Sequence, residues 1–126
     1  MLRLGFPVVG VTDLDRAIAF WAAALHLTPS DEWANAGWRT LTGPDGDRVL
    51  GLMRSDSPPD PRPRVHLDLL VDTTAEQAAE VDRLITLGAT LPDWDGYPAE
   101  PDFVVLADPE GNVFCVVDLG RAPSSG

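Results

Sequence analysis

The chain has 126 residues, 44% of them hydrophobic and 23% charged, and its 20 acidic against 9 basic side chains leave a net charge of −11. That length suits one compact domain with a real core and is too short for two independent ones. The charge argues against a nucleic-acid partner, because a binder needs lysines and arginines to neutralise phosphates. No apolar run is long enough to cross a bilayer, and no basic leader precedes an uninterrupted apolar stretch, so no membrane association is expected. Cys115 is the only cysteine, which excludes an internal disulfide and suits a reducing, cytoplasmic setting. The acidity reads first as solubility, although it also favours a cationic ligand.

In chain order, residues 4 to 11 are apolar and β-rich, predicting a strand buried on both faces that begins at Pro7 or runs along an edge. Thr12 is placed to cap a helix whose apolar face carries Leu14, Ile18, Trp21, Ala22 and Leu25, and Thr28-Pro29 ends it. Short strands are expected at Glu32 to Ala34 and Trp38 to Thr42, then a turn through Gly43-Pro44-Asp45-Gly46 into Val49 to Met53. Residues 55 to 64 hold four prolines among polar side chains, a stretch that suits a stiff linker.

The second half repeats the plan. A strand is predicted over Val65 to Val71, then a helix with Thr73 or Thr74 and Glu76 or Gln77 as its capping box, a stripe of Ala78, Val81, Leu84 and Ile85, and Gly88 as its stop. A Gly- and Pro-punctuated loop from Leu91 to Asp102, carrying Trp94 and Tyr97, could cover something. Strands at Phe103 to Leu106 and Val113 to Leu119 flank the turn Asp108-Pro109-Glu110-Gly111. The copies are offset by 60 residues at Val11 and Val71 and by 65 at Gly46 and Gly111, so they differ by only a few loop residues. Such a repeat places corresponding residues around a shared site. Module one thus covers about 4 to 54, module two about 65 to 119, and 120 to 126 is a frayed tail.

Two βαβββ modules, with Val-Thr-Asp-Leu-Asp-Arg-Ala-Ile-Ala-Phe-Trp entering the first helix and Asp-Pro-Glu-Gly-Asn before the last strand, resemble the vicinal oxygen chelate superfamily of glyoxalases, bleomycin-resistance proteins and extradiol dioxygenases. His66-Leu67-Asp68-Leu69-Leu70-Val71-Asp72 and residues 108 to 115 are similar to its glyoxalase-like subgroup. The resemblance implies an α+β fold in which eight strands form a half-open cup. It does not choose an activity, since members include isomerases, lyases, dioxygenases, thiol transferases and drug-sequestering proteins.

In metal-dependent members the ligands come from the first and last strands of each module. Those places fall here on Phe6 and on Leu50, or Leu52 if the register slips, in module one, and on His66 and Cys115 in module two. Phenylalanine and leucine have no lone pair, and a catalytic metal usually needs three protein ligands, so no metal and no cofactor are expected. Asp68, two residues from His66 on a strand, faces the same way and makes a His-Asp-Cys trio conceivable.

His66 and Asp68 are the sharpest candidates for chemistry, with the carboxylate orienting the imidazole as base or anchor. Trp38, Trp94 and Tyr97, with Phe6, Leu50 and Cys115, are the candidate ligand wall, and Trp21 is core. Arg39 lies on a cup strand, where alternation can turn it outwards. Phosphate loops, Cys-x-x-Cys, nucleophile elbows and His-Glu-x-x-His are absent. The reading that follows is a metal-independent small-molecule-binding protein, as in drug sequestration, with a homodimer allowed. The competing readings are a lyase or isomerase using His66 and Asp68 on a carbonyl substrate, and a partner-binding module with a vestigial cup.

Overall fold

The computed structural model describes residues 1–121; the predicted tail lies outside the described residues from 122 onward. The chain divides into two compact units, Met1–Pro59 and a second that begins at Asp60. Each is an α+β module. No helix among the described residues is long and apolar enough to cross a membrane.

Unit one contains β1 (Val8–Val11), α1 (Leu14–Leu25), β2 (Thr28–Pro29), β3 (Trp38–Thr42) and β4 (Arg48–Arg54), with sheet order β1-β4-β3-β2. β1 runs parallel to β4 at the sheet edge, where Pro7 is tolerated just before it because only its carbonyl is used, accepting from the Gly51 amide at 2.9 Å. The strand is not buried on both faces as its composition suggested, for Val8 is exposed and only Val11 is fully buried. Asp13, not Thr12, caps α1, its carboxylate accepting from the Arg16 amide at 3.1 Å. The buried residues of α1 are Ala17, Phe20, Trp21 and Ala24. Leu14, Ile18, Ala22 and Leu25 of the expected stripe are only half-buried beside them, so the true contact line runs through the alanines that let the helix approach the sheet. The helix closes on His26 in a left-handed conformation, and Thr28-Pro29 pairs with β3 rather than merely ending it. No strand forms at Glu32 to Ala34, because the chain turns there with Trp33 at positive φ.

Unit two contains β5 (Asp68–Val71), α2 (Thr74–Leu87), β6 (Phe103–Ala107) and β7 (Val113–Asp118), in sheet order β5-β7-β6. The eighth strand of the repeat is reduced to one bridge, Thr90 to Ala107, in the place β2 holds in unit one. Thr73 caps α2 by accepting from the Glu76 amide at 3.1 Å, and Gly88 ends it at positive φ. Ala78 and Ile85 of the expected stripe are exposed; Leu84 and the polar Gln77 are the buried residues of this helix. Gln77 is accommodated because its Nε2 donates to the carbonyls of Asp102 and Val116, at 3.1 and 3.0 Å. At the far end of β7, fully buried Asp118 accepts from the Thr74 hydroxyl at 2.6 Å and the Gly120 amide at 2.8 Å.

Replacing Gln77 by alanine leaves two buried carbonyls short of a donor and opens a void under α2. The expected loss is about 1–3 kcal/mol of stability, read as a lower urea midpoint with the slope unchanged.

Candidate functional site

Strand pairing sorts the residues of each sheet into two faces. In unit one, Leu41 pairs with Leu50 and Arg39 with Leu52, while Trp38 pairs with Met53 and Thr40 with Gly51. Paired residues share a face, so Leu41, Leu50 and Leu52, none more than 1% exposed, belong to the face that α1 covers, and Arg39 lies with them. The other face carries Trp38, Gly51 and, by the parallel pairing, Val8.

Leu50 is therefore core and not a ligand-wall residue. A bulge causes the difference. Leu41 pairs with Leu50 but Thr42 pairs with Arg48, which leaves Val49 as an extra residue on β4. Gly51 is thus the fifth residue after the turn glycine Gly46, whereas Cys115 is the fourth after Gly111, in a hairpin without that shift. The counterpart of Cys115 in unit one is Gly51, since Val8 faces Gly51 in one sheet as Asp68 faces Cys115 in the other.

Gly51 is the floor of an aromatic patch. A Cβ there would stand 2.7 Å from the Trp38 ring and 3.0 Å from Phe6, whose ring centroids lie 6.3 Å apart. The Trp38 indole donates to the Thr40 hydroxyl at 3.0 Å, so the ring is held with its polar atom satisfied.

In unit two the equivalent face gathers the polar candidates. Asp68 and Cys115 face each other across the parallel β5–β7 pair, and the Cys115 amide donates to the Leu67 carbonyl at 2.9 Å. One donor atom each from His66, Asp68 and Cys115 lie within 4.8 Å of one another. His66 is oriented differently from expectation. Its Nε2 lies 2.9 Å from the Pro63 carbonyl, and among the described residues no hydrogen bond joins it to Asp68. A carbonyl can only accept, so Nε2 donates in this contact and Nδ1 is the ring nitrogen left to meet a ligand. Asp68 is exposed, His66 half-buried and Cys115 buried, so the trio runs from solvent into the sheet.

Burial first, and the Asp68 carboxylate second, push the Cys115 thiol from 9.0 up to about 11. At neutral pH it is a thiol and no nucleophile.

The loop expected to cover something covers Cys115. Trp94 packs against the cluster of Phe103, Val105 and Cys115 and sets its ring edge-to-face with His66, 6.3 Å between centroids. Arg62 fastens it. The guanidinium lies 4.9 Å from the Trp94 ring centre, pairs with Asp95 at 3.0 Å and donates to the Asp93 carbonyl. Tyr97 stacks on Phe103 and its hydroxyl accepts from the Val105 amide at 2.7 Å, a structural engagement of a residue expected to line the wall. Phe6 and Trp38 thus come together in unit one, and His66, Asp68, Cys115 and Trp94 in unit two. The roles of Pro63 and Arg62 were missed, because a backbone carbonyl has no sequence signature and Arg62 sat within an apparent linker.

This tandem of βαβββ modules with polar side chains on the last strand pairing of the second is a glyoxalase-type fold. A model of the glyoxalase-like domain matches residues 7–117, and the chain belongs to that family, within the vicinal oxygen chelate superfamily. No curated protein matches it. Among solved structures it is similar to a glyoxalase/bleomycin resistance protein/dioxygenase family enzyme from Burkholderia phytofirmans, at 20% identity over 91% of this chain and 97% of that one, TM-score 0.69. It is also similar to a protein of Agrobacterium tumefaciens, at 17% identity over 94% and 98%, TM-score 0.72. A genomically encoded fosfomycin resistance protein from Listeria monocytogenes shares 17% identity over 99% and 96%, TM-score 0.70, and a variant of that protein has been solved with Mn(II) and a dihydroxypropylphosphonic acid. At these identities the likeness concerns the fold.

At the two unit-one places where the family resemblance implies a ligand, no side chain can coordinate an ion. Those places hold the hydrocarbon ring of Phe6 and a glycine with no side chain.

Two outcomes are expected. Gly51→Ala forces Trp38 or Phe6 aside, seen as a change in near-ultraviolet circular dichroism at the tryptophan bands with the far-ultraviolet spectrum kept. Alkylation of native Cys115 is slow at pH 7 and climbs toward pH 11, and Asp68→Asn moves that climb to lower pH. The thiol is protonated longer in the folded chain than in the unfolded one, so stability falls as pH rises from about 9 to about 11.

Proposed function

We propose that the chain binds a small organic molecule and does so without a metal shared between its modules. The observation that carries this reading is the pair Phe6 and Gly51 at the two unit-one places where metal-dependent relatives of this superfamily have ligands. Those unit-one groups offer no lone pair to an ion, while within unit two the half-buried Trp94 ring beside His66 favours an apolar or aromatic body in the ligand. His66 Nδ1 offers an acceptor, and exposed Asp68 offers a carboxylate for a donor or cationic group. The chain's charge of −11 raises the local concentration of such a cation.

A second reading rests on the same nitrogen. With Nε2 held by Pro63, Nδ1 is a base whose lone pair is free to take a proton beside a substrate carbonyl, the first step of a lyase or isomerase.

The test is tryptophan fluorescence of chelator-washed protein against a panel of aromatic cations, with mass spectrometry for product. Saturable quenching that survives the chelator, with no product, is expected. His66→Ala should weaken binding roughly 2- to 12-fold, the loss of one hydrogen bond worth about 0.5–1.5 kcal/mol. Binding that vanishes with chelation overturns the reading, and turnover lost in His66→Ala at unchanged affinity replaces it with the enzymatic one.

A further inference from the structure

We propose that His66, Asp68 and Cys115 form a three-donor site, built within the second module alone, for a borderline-soft divalent cation of the Zn(II) class. The proposal does not depend on the small-molecule reading. Its donor set differs from the two-module set of metal-dependent relatives, because nothing in unit one takes part and Asp68 supplies the third ligand.

Four observations support it. The donor atoms already stand within 4.8 Å of one another. A tetrahedral ion with bonds of about 2.0–2.3 Å holds its donors roughly 3.5 Å apart, a closure that exposed Asp68 can make by rotating its side chain while His66 stays on Pro63. The parallel register fixes Asp68 opposite Cys115, so carboxylate and sulfur lie on one face whatever the side chains do. The Nε2 of His66 is committed to the Pro63 carbonyl at 2.9 Å, which leaves Nδ1 as the ligand and reproduces the outer-shell support that metal-binding histidines usually have. Trp94, Phe103 and Val105 make a dry wall against the sulfur, while Asp68 keeps the entrance open to solvent.

The mix of donors selects the ion. One sulfur, one imidazole nitrogen and one carboxylate suit zinc and its neighbours, whereas calcium and magnesium require mostly oxygen. On coordination the Cys115 S–H bond is replaced by a sulfur–metal bond and the proton passes to solvent, so uptake releases protons and strengthens with pH. Three protein ligands leave one position open for water or an oxygen of a bound molecule.

The experiment titrates chelator-stripped, full-length protein with Co(II), followed by absorption. Saturation at one ion per chain is expected, with a thiolate-to-cobalt charge-transfer band and the strong visible bands of a tetrahedral ion, both removed by Zn(II). Cys115→Ser should abolish the charge-transfer band. His66→Ala and Asp68→Asn should each weaken binding at least about tenfold, with thermal unfolding verifying that each variant is folded. Because Asp68 is exposed, its variant keeps the test informative if the buried cysteine variant does not fold. Absence of the charge-transfer band in the native chain, or an isotherm unchanged in Asp68→Asn, overturns the proposal. Chelator-resistant binding of organic cations is read separately, so either idea can fail alone.

Discussion

The parallel pairing of β5 with β7 in one register governs the chemistry available to this chain. Side chains alternate across a strand, so a slip of β7 by one residue would turn Cys115 onto the face covered by α2 and set Phe114 or Val116 opposite Asp68 in its place. Three contacts hold that register. The Cys115 amide reaches the Leu67 carbonyl, the Leu119 amide reaches the Val71 carbonyl at 2.8 Å, and buried Asp118 ties the end of β7 to Thr74 at the start of α2. His66, Trp94 and Arg62 are all placed relative to this pair of strands, and each attaches through a different kind of force: a hydrogen bond, apolar packing and ion pairing.

The two modules began from one plan and were filled with different materials. In the second, a tight hairpin after Asp108 brings cysteine to the face opposite α2. In the first, one extra residue in β4 moves the position opposite Val8 from leucine to glycine, and the empty space is taken by Trp38 and Phe6. An apolar surface and a polar one result from the same topology. The difference lies on the link between local backbone geometry and packing, not in the fold.

The repeat was legible because it is written in local chemistry. Thr73 with Glu76, Gly88, and the Asp108 to Gly111 turn each satisfy nearby backbone groups, and such signals survive without knowledge of the partner strand. The bulge at Val49 was not legible, because Val49 to Met53 is apolar on both faces of the strand and alternation cannot reveal a shift there. Helix faces were misplaced for a similar reason: Ala17 and Ala24 carry little hydrophobic signal although their small size brings α1 down onto the sheet. The grouping of His66, Asp68 and Cys115 on one module was readable from strand spacing and the repeat. The orientation of His66 was not, since it depends on a proline carbonyl that any residue could have supplied.

The Tyr97 hydroxyl on the Val105 amide has a consequence for solution behaviour. β6 is an outer strand, and an outer strand with open amides invites a neighbouring molecule to extend the ladder. The phenol occupies one such amide midway along, and Thr90 occupies both polar groups of Ala107 at the end. Between them they leave an incoming strand no continuous row of partners on this side, so this border of the second module's sheet is closed by the chain's own side chain and backbone.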